Sequence, residues 1–359
     1  MVEGRIVSYA RGSGENGAIA YVPIVNRSII GSSASKKLVM GVTMPYYGEE
    51  VRGKRVLVDL GLITPRDLIM PFRIIVSVDG VTITREFKPQ EKGLIEEGLY
   101  GKAFYDATAL LSSKIASTEL HRMTILYTAE KPVIFEDSGV AVEYEGIKNG
   151  WYSYNILGGA LIVEPGDILE VNAQLPESRS DYKELIFKLH VPSRHADLKI
   201  EVGGKKFDAG GTHGPVVVEA PVKYRGKNVR IYFYYNKPSE RFYPSKAVVS
   251  TVALLECLVP RADVRIGETR TRIEQNSRII ELTLINQGEA RADSVSVLAF
   301  LSGKNIARIE IGGLEPGGEA RASIKIPEWV SGSGNILVRV LWRSYGRSFH
   351  VDKTINFNF

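Results

Sequence analysis

The chain has 359 residues, 44% hydrophobic and 24% charged, values ordinary for a soluble globular protein. At roughly 150 residues per domain this length suggests two or three domains, and the composition excludes a disordered chain, a coiled coil and a disulfide-framed miniprotein. The net charge is +5, but acids are interspersed with bases and no run of five like charges occurs, so no specific nucleic-acid binding is expected.

The opening Met1-Val2-Glu3-Gly4-Arg5-Ile6 has neither a basic n-region nor an apolar h-region, and no stretch reaches the length of a membrane helix. As written, the chain reads as cytoplasmic, or as a surface or virion protein if it assembles or if a leader is missing. Gly12-Ser13-Gly14-Glu15-Asn16-Gly17 has the dinucleotide spacing G-x-G-x-x-G, which works only when a helix follows. Here Ala18–Val25 reads as strand and contains Pro23, so a hairpin loop and no cofactor are expected. Asn26-Arg27-Ser28 is a glycosylation sequon, relevant only to an exported surface.

A period of two dominates from there on. Val76, Val78 and Phe87 flank Asp79-Gly80, a favoured hairpin dipeptide. Phe104–Ile115 predicts a strand ending near Thr108 with about one helical turn after it. Strands over 121–127 and 140–144 close a first unit. Carboxylates pair at Glu49-Glu50, Glu96-Glu97, Glu136-Asp137 and Glu143/Glu145. Two such groups across a cleft could serve a glycosidase, and loop carboxylates could equally bind calcium.

A second unit opens on Trp151, Tyr152 and Tyr154 and carries strands through 168–171, 198–202, 216–218, 231–235 and 248–255. His190, His195 and His213, with Asp197 and Asp208 nearby, lack an H-x-H or H-E-x-x-H core, so no metal site is expected. In Val229–Tyr235, alternation places Arg230, Tyr232 and Tyr234 on one face. Tyrosine joins a flat apolar ring to a polar tip, suited to stacking on sugars or to a protein interface. Arg230, Tyr232, Tyr234, Trp151 and Tyr152 are therefore the candidate binding residues; good strand formers packed on a neighbour would look the same. Cys257, the only cysteine, excludes an intrachain disulfide and reads as a small buried hydrophobe. Scarce cysteine and many arginines fit a thermophile as a tendency.

Val259-Pro260-Arg261 reads as a linker to a third unit. There Ile280–Ala290 runs into Asn286-Gln287-Gly288, a strand follows at Ser294–Leu298, and Leu314-Glu315-Pro316-Gly317 leads into the strand Ala322–Ile326. This pattern of strand, N-x-G, strand, L-x-P-G, strand resembles the CARDB-type immunoglobulin-like module, a cell-adhesion-related β-sandwich. The resemblance implies a spacer or adhesion role and no catalytic site. Both glycine turns would supply positive-φ positions. More loosely, the first two units resemble jelly-roll carbohydrate-binding modules, through Tyr105-Asp106-Ala107-Thr108 and Glu164-Pro165-Gly166-Asp167.

The expected fold is all-β: a jelly-roll-like sandwich over 1–146, a second over 147–259 and an immunoglobulin-like sandwich over 260–359. The expected function is non-enzymatic, a structural, adhesion or carbohydrate- or protein-binding role, with self-assembly possible and no membrane insertion. A virion coat or spike protein and a β-sandwich glycosidase are the alternatives.

Overall fold

Segments rich in Val, Ile, Thr and Tyr, bounded by Gly, Pro, Asn and Asp, form strands because β-branched and aromatic side chains pack well on a pleated surface. The computed structural model describes residues 4–31, 35–48, 50–236, 245–274, 277–327, 330, 332–344 and 347–358, most of them in antiparallel sheets. The chain divides into two units: Met1–Met44 with Glu49–Val259, and Pro45–Gly48 with Pro260–Phe359. Position 146 lies inside the first unit.

The first unit begins with β1 (Ile6–Glu15), β2 (Gly17–Ile30), β3 (Lys37–Thr43), β4 (Arg52–Thr64), β5 (Phe72–Val78), β6 (Val81–Phe87), β7 (Glu91–Ile95) and β8 (Gly98–Asp106). A single helical turn, α1 (Thr108–Leu111), follows the strand end as expected. Then come β9 (Leu120–Leu126), β10 (Val133–Glu145), β11 (Trp151–Val163), β12 (Ile168–Gln174), β13 (Tyr182–Val191), β14 (Asp197–Val202), β15 (Lys205–Asp208), β16 (Gly214–Lys223), β17 (Asn228–Asn236) and β18 (Ala247–Leu258).

These strands make four sheets: I (β3-β9-β5-β6), II (β2-β10-β4-β8-β7), III (β1-β11-β18-β13-β16) and IV (β12-β17-β14-β15). Sheets I and II face each other; a Cβ on Gly101 of β8 would come within 3.1 Å of the Phe87 ring of β6. Sheets III and IV enclose Leu185, Phe187, Leu198, Ile231, Phe233 and Leu254. Sheets II and III also pack on each other, around Tyr21, Leu57, Tyr154, Ile156 and Ile186 and around Ile63, Tyr100, Ile162 and Val248. The unit is therefore four layers deep. The two inner sheets are covered on both faces, so β10, β11 and β18 are buried along nearly their whole length.

Two turns decide how the layers connect. Asp79 (φ 49°) and Gly80 (φ 78°) close the expected hairpin between β5 and β6, the left-handed pair that a type I′ turn requires. The glycine-rich stretch 12–17 closes no hairpin, contrary to expectation. β1 pairs with β11 and β2 with β10, so Asn16 (φ 54°) turns the chain from sheet III into sheet II.

The second unit holds β19 (Val264–Glu274), β20 (Ser277–Asn286), β21 (Ala292–Leu301), β22 (Lys304–Leu314), β23 (Glu319–Ile326), β24 (Ser333–Ser344) and β25 (Arg347–Asn358). Its sheets, β19-β20-β23 and β22-β21-β24-β25, form a seven-stranded sandwich in the immunoglobulin order, three strands against four. Val264, Leu282, Val297, Ile324, Val338 and Trp342 lie in its core. Asn286 joins the two glycine turns. Its Oδ1 accepts from the Asp263 and Gly288 amides, and its Nδ2 donates to the Ala290 and Leu314 carbonyls at 2.8 and 3.0 Å. Gly317 (φ 71°) has the expected positive φ, whereas Gly288 does not. Gly288 is required by space instead, since a Cβ there would collide with the Arg261 carbonyl and the Asp263 amide.

Candidate functional site

The alternation expected in β17 is present: Val229, Ile231, Phe233 and Tyr235 are buried, Arg230 is exposed, and Tyr232 and Tyr234 are half-buried. The two tyrosine rings lie 6.4 Å apart, tilted by 39°. Across the register, Ile168, Glu170 and Asn172 of β12 stand opposite Tyr234, Tyr232 and Arg230. Lys199 and Glu201 of β14 flank Tyr234 and Tyr232 on the other side. Lys206 of β15 sits over the Tyr234 ring at 5.4 Å, a cation–π contact, and pairs with Glu201 at 3.7 Å. Partial desolvation, followed by the neighbouring Glu201 carboxylate, raises the Tyr234 pKa. The result is an open aromatic platform on the outer face of sheet IV, rimmed by hydrogen-bonding groups of both signs.

Trp151 and Tyr152 do not join it. Both are buried on β11 in sheet III. Arg179 covers the Trp151 ring at 4.9 Å, and the Tyr152 hydroxyl donates to Glu143 at 3.0 Å. Expected as binding residues, they are instead buried, because β11 is covered by sheet II on one face and sheet IV on the other.

Sequence reasoning missed a polar seam between sheets II and III. At its centre lie Asp59 (β4), Lys102 (β8), Asp137 (β10) and Lys188 (β13), all buried. Lys188 Nζ is 2.5 Å from Asp59 Oδ1 and 2.7 Å from Asp137 Oδ1. Lys102 Nζ is 2.6 Å from Asp59 Oδ1 and also pairs with Asp137. Tyr21 and Tyr9 donate to Asp59 Oδ2 at 2.8 and 3.3 Å, and Tyr100 donates to Asp137 Oδ2 at 2.5 Å. Space for the seam comes from two glycines paired across the β4–β10 ladder with the aspartates, Gly139 opposite Asp59 and Gly61 opposite Asp137. A Cβ at Gly61 would strike the Tyr100 hydroxyl and the Asp137 carboxylate; one at Gly139 would strike Tyr21 and Asp59.

Charge here follows the surroundings. Burial pushes the Asp59 and Asp137 carboxyls up, and the two ammonium groups outweigh it, so both stay below the usual carboxylate range. Burial lowers the Lys188 pKa, and the two aspartates do not fully restore it, whereas they hold Lys102 above its ordinary value. The tyrosine hydroxyls are raised by burial first and by the aspartates second.

Two further groups extend the seam. A register shift between Phe135 and Asp137 lets the neighbours Glu136 and Asp137 both reach β13, as a bulge re-aims a side chain. Glu136 contacts His190 Nδ1 and Arg27 at 3.0 Å each. Arg27 also binds Glu97, which meets His213 Nε2 at 3.1 Å. Glu143 accepts the Tyr152 and Tyr154 hydroxyls, with Lys54 and Arg55 each 3.8 Å away.

Of the other sequence candidates, His190 and His213 enter one cluster while His195 is exposed, and Asp197 and Asp208 lie apart from them on sheet IV. Among the described residues no group of three or more His, Cys, Asp or Glu could hold a metal ion. Glu96 accepts the Lys246 amide at 3.0 Å, Glu145 and Glu50 are exposed, and Glu49 lies outside the described residues. Asn26 of the sequon is exposed on β2 and accepts from the Ser28 hydroxyl. Cys257 is half-buried rather than buried. In the second unit a shallow depression of about 330 Å³ is lined by Phe300, Asn335, Leu337 and Thr354, with Arg339 held by both oxygens of Asp352. Among the described residues no helix is long and apolar enough to cross a membrane.

No family model matches the chain, and no curated protein matches it. Similar solved structures include the Parabacteroides merdae β-glucuronidase, 11% identical with a TM-score of 0.24, covering 57% of this chain and 28% of that one. A GH2 β-galacturonidase from Eisenbergiella tayi bound to galacturonate is 15% identical with a TM-score of 0.21, covering 58% and 35%. A peptide-N(4)-(N-acetyl-β-D-glucosaminyl)asparagine amidase is 10% identical with a TM-score of 0.25, covering 66% of this chain and 96% of that one. This chain thus spans about a third of the glycosidases' length or less. At these scores the likeness carries nothing about activity.

Proposed function

We propose that the protein is a non-enzymatic binding protein whose ligand, a glycan or a partner protein, lies across the outer face of sheet IV. The observation that carries this reading is the Tyr232–Tyr234 pair, half-exposed on a strand paired on both sides and flanked by Glu170, Asn172, Lys199 and Glu201. A sugar ring presents an apolar face and a rim of hydroxyls, and such a platform offers a partner for each. The seam carboxylates serve the fold: those of Asp59, Asp137 and Glu143 are tied to lysines, arginines or tyrosines inside the unit. The second unit, with its immunoglobulin strand order and CARDB-like turns, is the spacer or adhesion module.

The test is a glycan array together with a partner pull-down, using the whole chain. Retention of a glycan or protein by the wild type, and its loss in the Tyr232→Ala/Tyr234→Ala double variant, supports the reading. Turnover of any substrate that a point substitution abolishes contradicts it.

A further inference from the structure

The centre of the seam holds reactants for a condensation. A lysine amine and an aspartate carboxyl become an amide by losing water, with no oxidant, reductant or co-reactant. Lys188 of sheet III presents Nζ 2.5 Å from Asp59 Oδ1 of sheet II, both side chains being fully buried. We infer that Lys188 and Asp59 join in an intramolecular isopeptide bond that ties the two sandwiches of the first unit together.

The neighbours supply what the reaction needs. Asp137 Oδ1, 2.7 Å from Lys188 Nζ, carries one proton from the nitrogen to Asp59 Oδ1, so that a neutral amine meets a neutral carboxyl. The freed amine adds to Asp59 Cγ and the C–N bond forms. Negative charge then develops on Oδ2, where the Tyr21 and Tyr9 hydroxyls already donate, an arrangement that favours the charge of a tetrahedral intermediate. Asp137 carries a second proton from the nitrogen to Oδ1, the C–Oδ1 bond breaks, and Oδ1 leaves as water. Of the three ammonium protons, one stays on the amide and two leave with that water. Asp137 ends ionised, as it began.

The charge balance favours this pairing. Condensation removes one positive and one negative charge and leaves Lys102 paired with Asp137, so the buried centre stays neutral. It also replaces two desolvated ions by a neutral amide, which lowers the cost of burial. Lys188 is the better nucleophile of the two lysines, because burial favours its neutral amine while the aspartates hold Lys102 charged. Asp59 is the better electrophile, since its Oδ2 receives two tyrosine hydroxyls where that of Asp137 receives one.

Intact-mass measurement of the purified, denatured full chain tests the bond. The expected wild-type mass is that of the sequence less one water, and proteolysis should yield a branched peptide joining the Asp59 and Lys188 segments. Lys188→Met should restore the lost water. A wild type of full sequence mass overturns the inference whether or not the variant folds. So does a water loss that persists in Lys188→Met, a branch at Lys102, or a loss mapped to a succinimide at Asp79-Gly80 with no branch.

Discussion

On β17, Tyr232 and Tyr234 are half-buried, and Lys206 lies over the Tyr234 ring. On β11, Tyr152 and Tyr154 are buried and give their hydroxyls to Glu143. The residue type and the strand conformation are the same; the number of covering layers differs. Sheet IV is an outer layer, so every second residue of β17 remains available to a ligand. Sheet III lies between two others, so the tyrosines of β11 satisfy a buried carboxylate. Aromatic strands on an outer sheet are thus candidates for binding, and those on an inner sheet serve internal packing and charge.

The contrast can be broken first where the expected effect is largest. Lys102→Met takes from the buried Asp137 the ammonium that pairs with it, a change that costs about 3–5 kcal/mol when a buried charge loses its partner. Chemical denaturation of the first unit should show that loss; a change below about 1 kcal/mol would mean that the seam is hydrated. In the second unit Asn286→Ala strands buried amides and carbonyls, each costing about 1–3 kcal/mol. A lower melting temperature confined to that unit is expected.

Acid should act on the seam as well. The Asp137 and Glu97 carboxyls are pushed up by burial. Asp137 is brought below its ordinary value by Lys102 and Lys188, and Glu97 by hydrogen bonds from Arg27 and His213. A depressed carboxyl contributes stability that is present above its unfolded pKa, about 4, and lost as pH falls through the folded one. Stability measured from pH 7 downward should therefore hold to about pH 5 and then decline. A curve that stays flat to pH 2 would show that these carboxylates do not contribute.

The platform could be read from residues because one covered face and one solvated face leave an alternating pattern in 229–235. The hairpin at Asp79-Gly80 and the strand ending before α1 were equally readable, since local turn chemistry sets them. The seam was not. Strands buried on both faces lose alternation, so Trp-Tyr-Ser-Tyr at the start of β11 gave no sign of which layer it occupied. Lys188 and Asp59 are each a single charge in an apolar run, but they are 129 residues apart and nothing local pairs one with the other. Glu136-Asp137 gave a further hint, two acids in the midst of an apolar strand, which require buried counterions. The role of Gly61 and Gly139 depends on a ladder pairing that only the folded sheet reveals.

The central claim is that the outer face of sheet IV binds while the seam holds the fold. Its most direct test compares Tyr232→Ala/Tyr234→Ala with the wild type in two measurements on the same samples, thermal melting and retention on an array of neutral and acidic glycans and in the partner pull-down. Half-exposed side chains carry little of the core, so stability should change by no more than about 0.5 kcal/mol per site. Binding should fall, each ring contributing on the order of 1 kcal/mol. A double variant that melts far below the wild type, or one that keeps every interaction at full strength, would contradict the account.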